Sequence, residues 1–160
     1  PCVGGSSYQY INWVKGPKTR AKIRQHRASF AVLWRYFIAV ADVCRANGGR
    51  VGMEWPRGCS YWRDPLGVAF LVRMGMQSYH FDGCMYNLRS MSPKTSGKLR
   101  RKPWTVASDC DAFQRLCREC NHAPTDHVRT QGSDTSTTEG YTDDLVYSMH
   151  DCWQKGCTTP

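Results

Sequence analysis

A thiol and a carboxylate stand out in this chain of 160 residues. Cys2 lies in the run Pro1-Cys2-Val3-Gly4-Gly5-Ser6. Small neighbours let a planar ring approach the sulfur, and a thiolate is a strong nucleophile. Glu54 follows Val51 and Met53 at the end of a short predicted strand, Arg50 to Pro56. Ligands of open α/β sheets bind at that edge. Apolar neighbours and Trp55 would favour the protonated carboxyl, which can then donate to a bound base. The plain alternatives are a cysteine that falls near a chain end by chance and a surface glutamate in a turn.

A second constellation is Cys117, Cys120, His122 and His127. Two thiolates and two imidazoles in this order can close a tetrahedral zinc site, with Cys110, Cys152 and Cys157 as substitute ligands. The alternative is a set of reduced cysteines packing a helix end, with the histidines on the surface. There are nine Cys, an odd number, and no secretory signal pattern, so a disulfide framework is not the expectation. An intracellular setting, nucleus or cytoplasm, is. Asp82-Gly83 reads as a turn. A metal-dependent nuclease needs clustered acids, and only Asp42, Glu54, Asp64 and Asp82 precede residue 108.

The net charge of +9 is uneven. Nearly all the basic residues precede residue 108, and most of the acids follow it. A basic surface of this kind suits a polyanion, because each neutralised phosphate releases counterions. It is equally the composition of a solvated basic face. No apolar run approaches the ~20 residues that span a bilayer, so no membrane partner is expected.

Positioning these groups requires an α/β arrangement. Residues 1 to 17 read as a loop. From Lys18 to Asn47, apolar residues at Ile23, Phe30, Leu33, Phe37, Val40 and Cys44 predict one long amphipathic helix, stopped by Gly48-Gly49. Its early turns carry Lys18, Arg20, Lys22, Arg24 and Arg27. Asp64 and Pro65 predict an N-cap and first position of a helix running to Met74. Strands are predicted at Gln77 to Phe81 and Trp104 to Ala107, with a polar basic loop from Ser90 to Arg101 between them. A short helix is predicted at Asp111 to Arg118, a loop from Asn121 to Tyr141, and a last helix capped by Thr142 with a stripe of Leu145, Val146, Met149 and Trp153. The expected division is 1–107 and a Cys/His-containing extension, 108–160, packed on the same domain.

Pro1-Cys2 with Ser6, a long helix, then a strand ending in Glu54 resembles the cytosine-5 DNA methyltransferases. Their catalytic loop is Pro-Cys-Gln-x-Phe-Ser and their acid opens Glu-Asn-Val. The closer resemblance is to divergent domains of phages, large DNA viruses and retroelement-like reading frames. Glu54-Trp55-Pro56, Cys84-Met85-Tyr86-Asn87-Leu88, Lys102-Pro103-Trp104-Thr105, the Cys/His cluster and Tyr141-Thr142 follow their order over nearly the whole chain.

The resemblance implies the later strands and helices of a Rossmann-like methyltransferase sandwich, with a loop-rich Cys/His segment at its C-terminal end. It implies a DNA partner rather than RNA, a flipped cytosine, attack by Cys2 on C6, Glu54 at N3, and methyl transfer from S-adenosylmethionine to C5. Ser6, Lys18, Arg20, Lys22, Arg24, Arg100, Arg101 and Lys102 become the expected nucleic-acid contacts. Val3, Gly5 and Trp55 depart from the family pattern. The family's glycine-rich cofactor loop precedes its Pro-Cys, so the chain is expected to be a fragment, inactive alone. The alternative is a catalytically degenerate nucleic-acid-binding domain of a mobile-element or viral polyprotein.

Overall fold

The computed structural model describes residues 4–129 and 140–157. Cys2 and residues 130–139 of the predicted polar loop lie outside them. The elements are α1 (Tyr8–Trp13), α2 (Pro17–Ala46), β1 (Gly52–Pro56), α3 (Pro65–Arg73), β2 (Gln77–Asp82), β3 (Pro103–Ser108) and α4 (Asp143–Cys157), with four short 3-10 turns. Helix and strand are mixed, and the strands form one antiparallel sheet in the order β1-β3-β2. No helix among the described residues is long and apolar enough to cross a membrane.

The chain divides into two compact units: residues up to Gln77 together with Ala107–Asp109, and Ser78–Val106 together with the chain from Cys110 onward. The sequence placed a boundary at 107/108. The units instead part after Gln77, and only the short stretch at 107–109 returns to the first.

In the first unit Pro17 opens α2, where its missing N–H costs nothing. The helix ends in a Schellman pattern: Gly49 N donates to the Cys44 carbonyl and Gly48 N to that of Arg45. Its buried residues are Ile23, Trp34 and Ala41, with Phe30, Phe37 and Cys44 half-buried. Leu33 and Val40 are exposed, so the buried stripe is rotated from the one the sequence pattern outlined. Trp34, Trp55, Tyr61 and Phe70 form an aromatic core with Val51, Cys59 and Met74. The Asp109 carboxylate accepts from Val51 N at 3.0 Å and pairs with Arg45, and Ser108 Oγ donates to the Val51 carbonyl at 2.9 Å. These bonds fasten the chain just before β1.

Asp64 caps α3, its Oδ1 accepting from Leu66 N at 3.0 Å. Asp64→Ala removes that acceptor and is expected to cost about 1 kcal/mol, read by urea denaturation.

In the second unit Tyr79, Phe81, Tyr86, Trp104, Val106, Phe113 and Leu116 pack with Leu145 and Cys152 of α4. Thr142 Oγ1 accepts from Leu145 N at 3.3 Å and donates to the Tyr86 carbonyl at 2.6 Å, so one hydroxyl caps α4 and ties it to the turn after β2. The Tyr86 hydroxyl donates to the Leu116 carbonyl, and burial pushes its pKa up to about 12. Two local readings changed. Residues 8–13 of the predicted opening loop are helical, and Asp111–Leu116 is a 3-10 turn rather than an α-helix.

Candidate functional site

The second unit brings four possible metal ligands together. One donor atom each from Cys84, Cys120, His122 and His127 lies within 4.8 Å of all the others. Cys84 sits in the 3-10 turn Gly83–Tyr86, directly after β2. That turn is pressed against the core: a Cβ on Gly83 would stand 2.8 Å from both Leu88 and Trp104, so the position takes only glycine without a shift. The other three ligands come from the chain that follows Leu116.

The Asp82 carboxylate places Cys120. Its backbone N–H donates to Asp82 Oδ2 at 2.9 Å, and the Asp82 side chain is fully buried at the end of β2. Cys120 Sγ then lies 3.5 Å from His122 Nδ1 and 3.4 Å from His127 Nε2. His127 Nδ1 is 3.0 Å from the Ala123 carbonyl, the arrangement that fixes a ligating imidazole with its other nitrogen free for a metal. Burial raises the Cys84 thiol pKa to about 12, and neighbouring Cys120 adds to the rise.

The fit to an ion can be tested by distance. Metal–sulfur bonds near 2.3 Å and metal–nitrogen bonds near 2.05 Å at a tetrahedral angle put sulfur and nitrogen about 3.6 Å apart. The two Cys120 distances agree. The group could hold a metal ion, and its fourth member is Cys84, not Cys117. Cys117 is exposed after the 3-10 turn and stands outside the group.

In the first unit, Glu54 is half-buried on β1. It lines an open groove of about 260 Å³ together with Phe30, Leu33, Trp34, Phe37 and Met53. The glycines after Cys2 are fixed near the same strand end. The Gly5 carbonyl accepts from Ser60 N at 2.8 Å and from Ser60 Oγ at 3.2 Å, and Gly4 O accepts from Arg27 Nε at 3.3 Å. A Cβ on Gly5 would come within 2.4 Å of the Tyr61 ring, so this contact requires glycine where the family motif has Phe. Trp55 is buried among Trp34, Tyr61 and Trp62 and also lines the groove beside Glu54.

Most of the expected nucleic-acid contacts are exposed. Lys18, Arg20, Lys22 and Arg24 lie exposed on the first turns of α2. Arg24 and Arg27 stack over Trp13, and Arg20 Nε donates to the Trp13 carbonyl. Ser6 is half-buried and accepts from Tyr8 N. Arg101 is exposed and paired with Asp82, while Lys102 lies over the Trp104 ring. Arg100 is the exception, at 1 % exposed. Its guanidinium donates to Ser90 Oγ at 2.9 Å and to the Arg129 carbonyl, which commits it to the interior and removes it from any phosphate surface.

Sequence reasoning missed Cys84 as a candidate ligand and Asp82 as the hydrogen-bond acceptor of Cys120 N. Both stood in the Asp82-Gly83-Cys84 turn, and the available signal was a cysteine directly after a strand end. Comparison with protein-family models, with curated proteins and with solved structures finds no match to this chain.

Proposed function

We propose that this chain carries the base-handling part of a cytosine-5 DNA methyltransferase-like domain. One observation carries the reading: the backbone three residues after Cys2 is hydrogen-bonded to Ser60, six residues after Glu54. The Gly4-Gly5 backbone is held beside the segment that follows β1, the strand that carries Glu54. β1, α3 and β2 follow one another as strand, helix and strand, a succession that a Rossmann-like sheet also uses.

In this reading a flipped cytosine enters beside Glu54. Glu54 donates a proton at N3, which draws electrons from C6. The Cys2 thiolate forms a bond to C6, and the displaced electron pair makes C5 nucleophilic. S-adenosylmethionine would supply the methyl group. The family's Phe-x-Gly-x-Gly motif for it has no counterpart in these 160 residues, and no step here assigns this chain a cofactor pocket. The exposed basic turn of α2 would meet the phosphates, with DNA as the partner and the nucleus or cytoplasm as the setting. For the Cys/His group, two thiolates and two imidazoles select zinc.

The test uses the full-length protein with S-adenosylmethionine and a duplex containing 5-fluorocytosine. A covalent adduct is expected on a denaturing gel. It is absent from Cys2→Ser and falls by about 10²-fold or more in Glu54→Gln. Adduct retained by Cys2→Ser ends the mechanism. The exposed basic residues of α2 favour a second reading, a degenerate domain that only binds nucleic acid. Its signature is salt-dependent binding without any adduct in the unaltered protein.

A further inference from the structure

We propose that Cys84, Cys120, His122 and His127 form a closed structural zinc site whose ion holds the basic segment Lys98–Lys102 in place. This rests on zinc as the ion of the Cys/His group and is independent of methyl transfer. Four protein donors complete a tetrahedron and leave no open position for a substrate, the mark of a structural rather than a catalytic zinc.

The chain around the site has no apolar core of its own and is otherwise held by hydrogen bonds. Not one residue from Cys117 to Arg129 is buried, and its only regular element is the three-residue turn Pro124–Asp126. A segment that buries no apolar side chain gains little from the hydrophobic effect to offset its conformational entropy. Three of the four ligands lie in this segment. The fourth, Cys84, is 3 % exposed and anchored in the core. An ion bound to all four staples the loop to the packed part of the unit.

The loop in turn carries the basic segment. Leu99 bridges to Arg89 on one side and to the ligand His127 on the other. Leu99 N donates to the Asp126 carbonyl at 3.1 Å, and Val128 N donates to the Leu99 carbonyl at 3.0 Å. The Arg129 carbonyl receives the buried Arg100 guanidinium. With Arg100 drawn inward, the exposed charges beside it are those of Lys98 and Arg101. Loss of the ion frees His127, and with it the bonds on one side of Leu99.

The test is metal analysis of the purified full chain together with amide hydrogen exchange. About one zinc per chain is expected. Cys84→Ser loses it, and Cys117→Ser keeps it. His122→Ala, a change at a half-buried position, also loses it and guards against a Cys84 variant that does not fold. Cobalt in place of zinc gives the absorption of a tetrahedral two-thiolate site. After chelation the amides of Leu99 and Val128 exchange roughly tenfold faster or more. A wild-type chain with no bound metal overturns the choice of zinc and this inference with it. Metal retained by Cys84→Ser and lost by Cys117→Ser leaves zinc standing and overturns the ligand set. Unchanged exchange at Leu99 and Val128 overturns the role given to the ion.

Discussion

Trp34→Ala is expected to destabilise the first unit by about 3–5 kcal/mol. Trp34 is 6 % exposed at the middle of α2, and four aromatic rings surround it. The centroids of Phe30, Phe37, Trp55 and Phe70 lie 5.7, 5.3, 5.5 and 5.2 Å away. Truncating a buried tryptophan costs about 3–5 kcal/mol, because the indole's transfer energy is lost and a cavity remains. A domain holds about 5–15 kcal/mol in total, so the loss is a large share of what a domain has. The wall here is built of large flat rings from separate segments, which cannot close on the vacancy without breaking their own contacts. Urea denaturation followed by near-ultraviolet circular dichroism should show the loss. Val40→Ala, on the exposed side of the same helix, should shift stability by no more than about 0.5 kcal/mol. A comparable small shift for Trp34→Ala would mean that the aromatic cluster is not the core of this unit.

That pair of variants marks the limit of what the sequence told about α2. Its existence was legible, because the spacing of apolar residues and Gly48-Gly49 act locally. Its buried face was not. Leu33, Val40 and Val43 lie on the exposed side and are as apolar as the residues that are buried. The choice is made by Trp55, Tyr61 and Phe70, rings that arrive from later in the chain. The same division runs through the other elements. Asp64-Pro65 and Thr142 announced α3 and α4, since a cap is a contact between near neighbours. Residues 8–13 gave no such signal in their polar surroundings, and the helix there was missed.

Arg100 was misread for a related reason. Three basic residues in a row read as a surface, but the acceptors of Arg100 are Ser90 Oγ and the Arg129 carbonyl. One is ten residues away and the other twenty-nine. Burial of a guanidinium is set by whether acceptors converge on it, and no reading of adjacent residues can supply that. The Cys/His group shows both sides of the matter. Cys120, His122 and His127 were legible from their close spacing. Cys84 was not, because the element that brings it to Cys120 is a hydrogen bond between distant segments.

That hydrogen bond makes Asp82 the other position where a large effect is expected. Its carboxylate accepts from Cys120 N and, at 3.2 Å, from Arg101 Nε. The two partners are unequal. Arg101 is more than half exposed, so its pair with Asp82 is screened by water and contributes about 0–1 kcal/mol. Both bonds end on Oδ2, but the one from Cys120 N fixes the backbone of a candidate metal ligand. Asp82→Ala leaves that N–H without its acceptor, a loss of about 1–3 kcal/mol, and lets Cys120 drift from Cys84. Removing an outer partner of this kind lowers metal affinity by about 10–100-fold. Asp82→Asn retains one acceptor oxygen and should fall between Asp82→Ala and the unaltered chain, whereas Arg101→Ala should bind zinc almost as before. Competition against a metal-binding dye measures all three. If Asp82→Ala holds zinc as tightly as the unaltered chain, the metal loop is positioned without Asp82. The order of the three variants then separates the causes: a salt bridge that organised the loop would make Arg101→Ala as damaging as Asp82→Ala, and a backbone anchor would not.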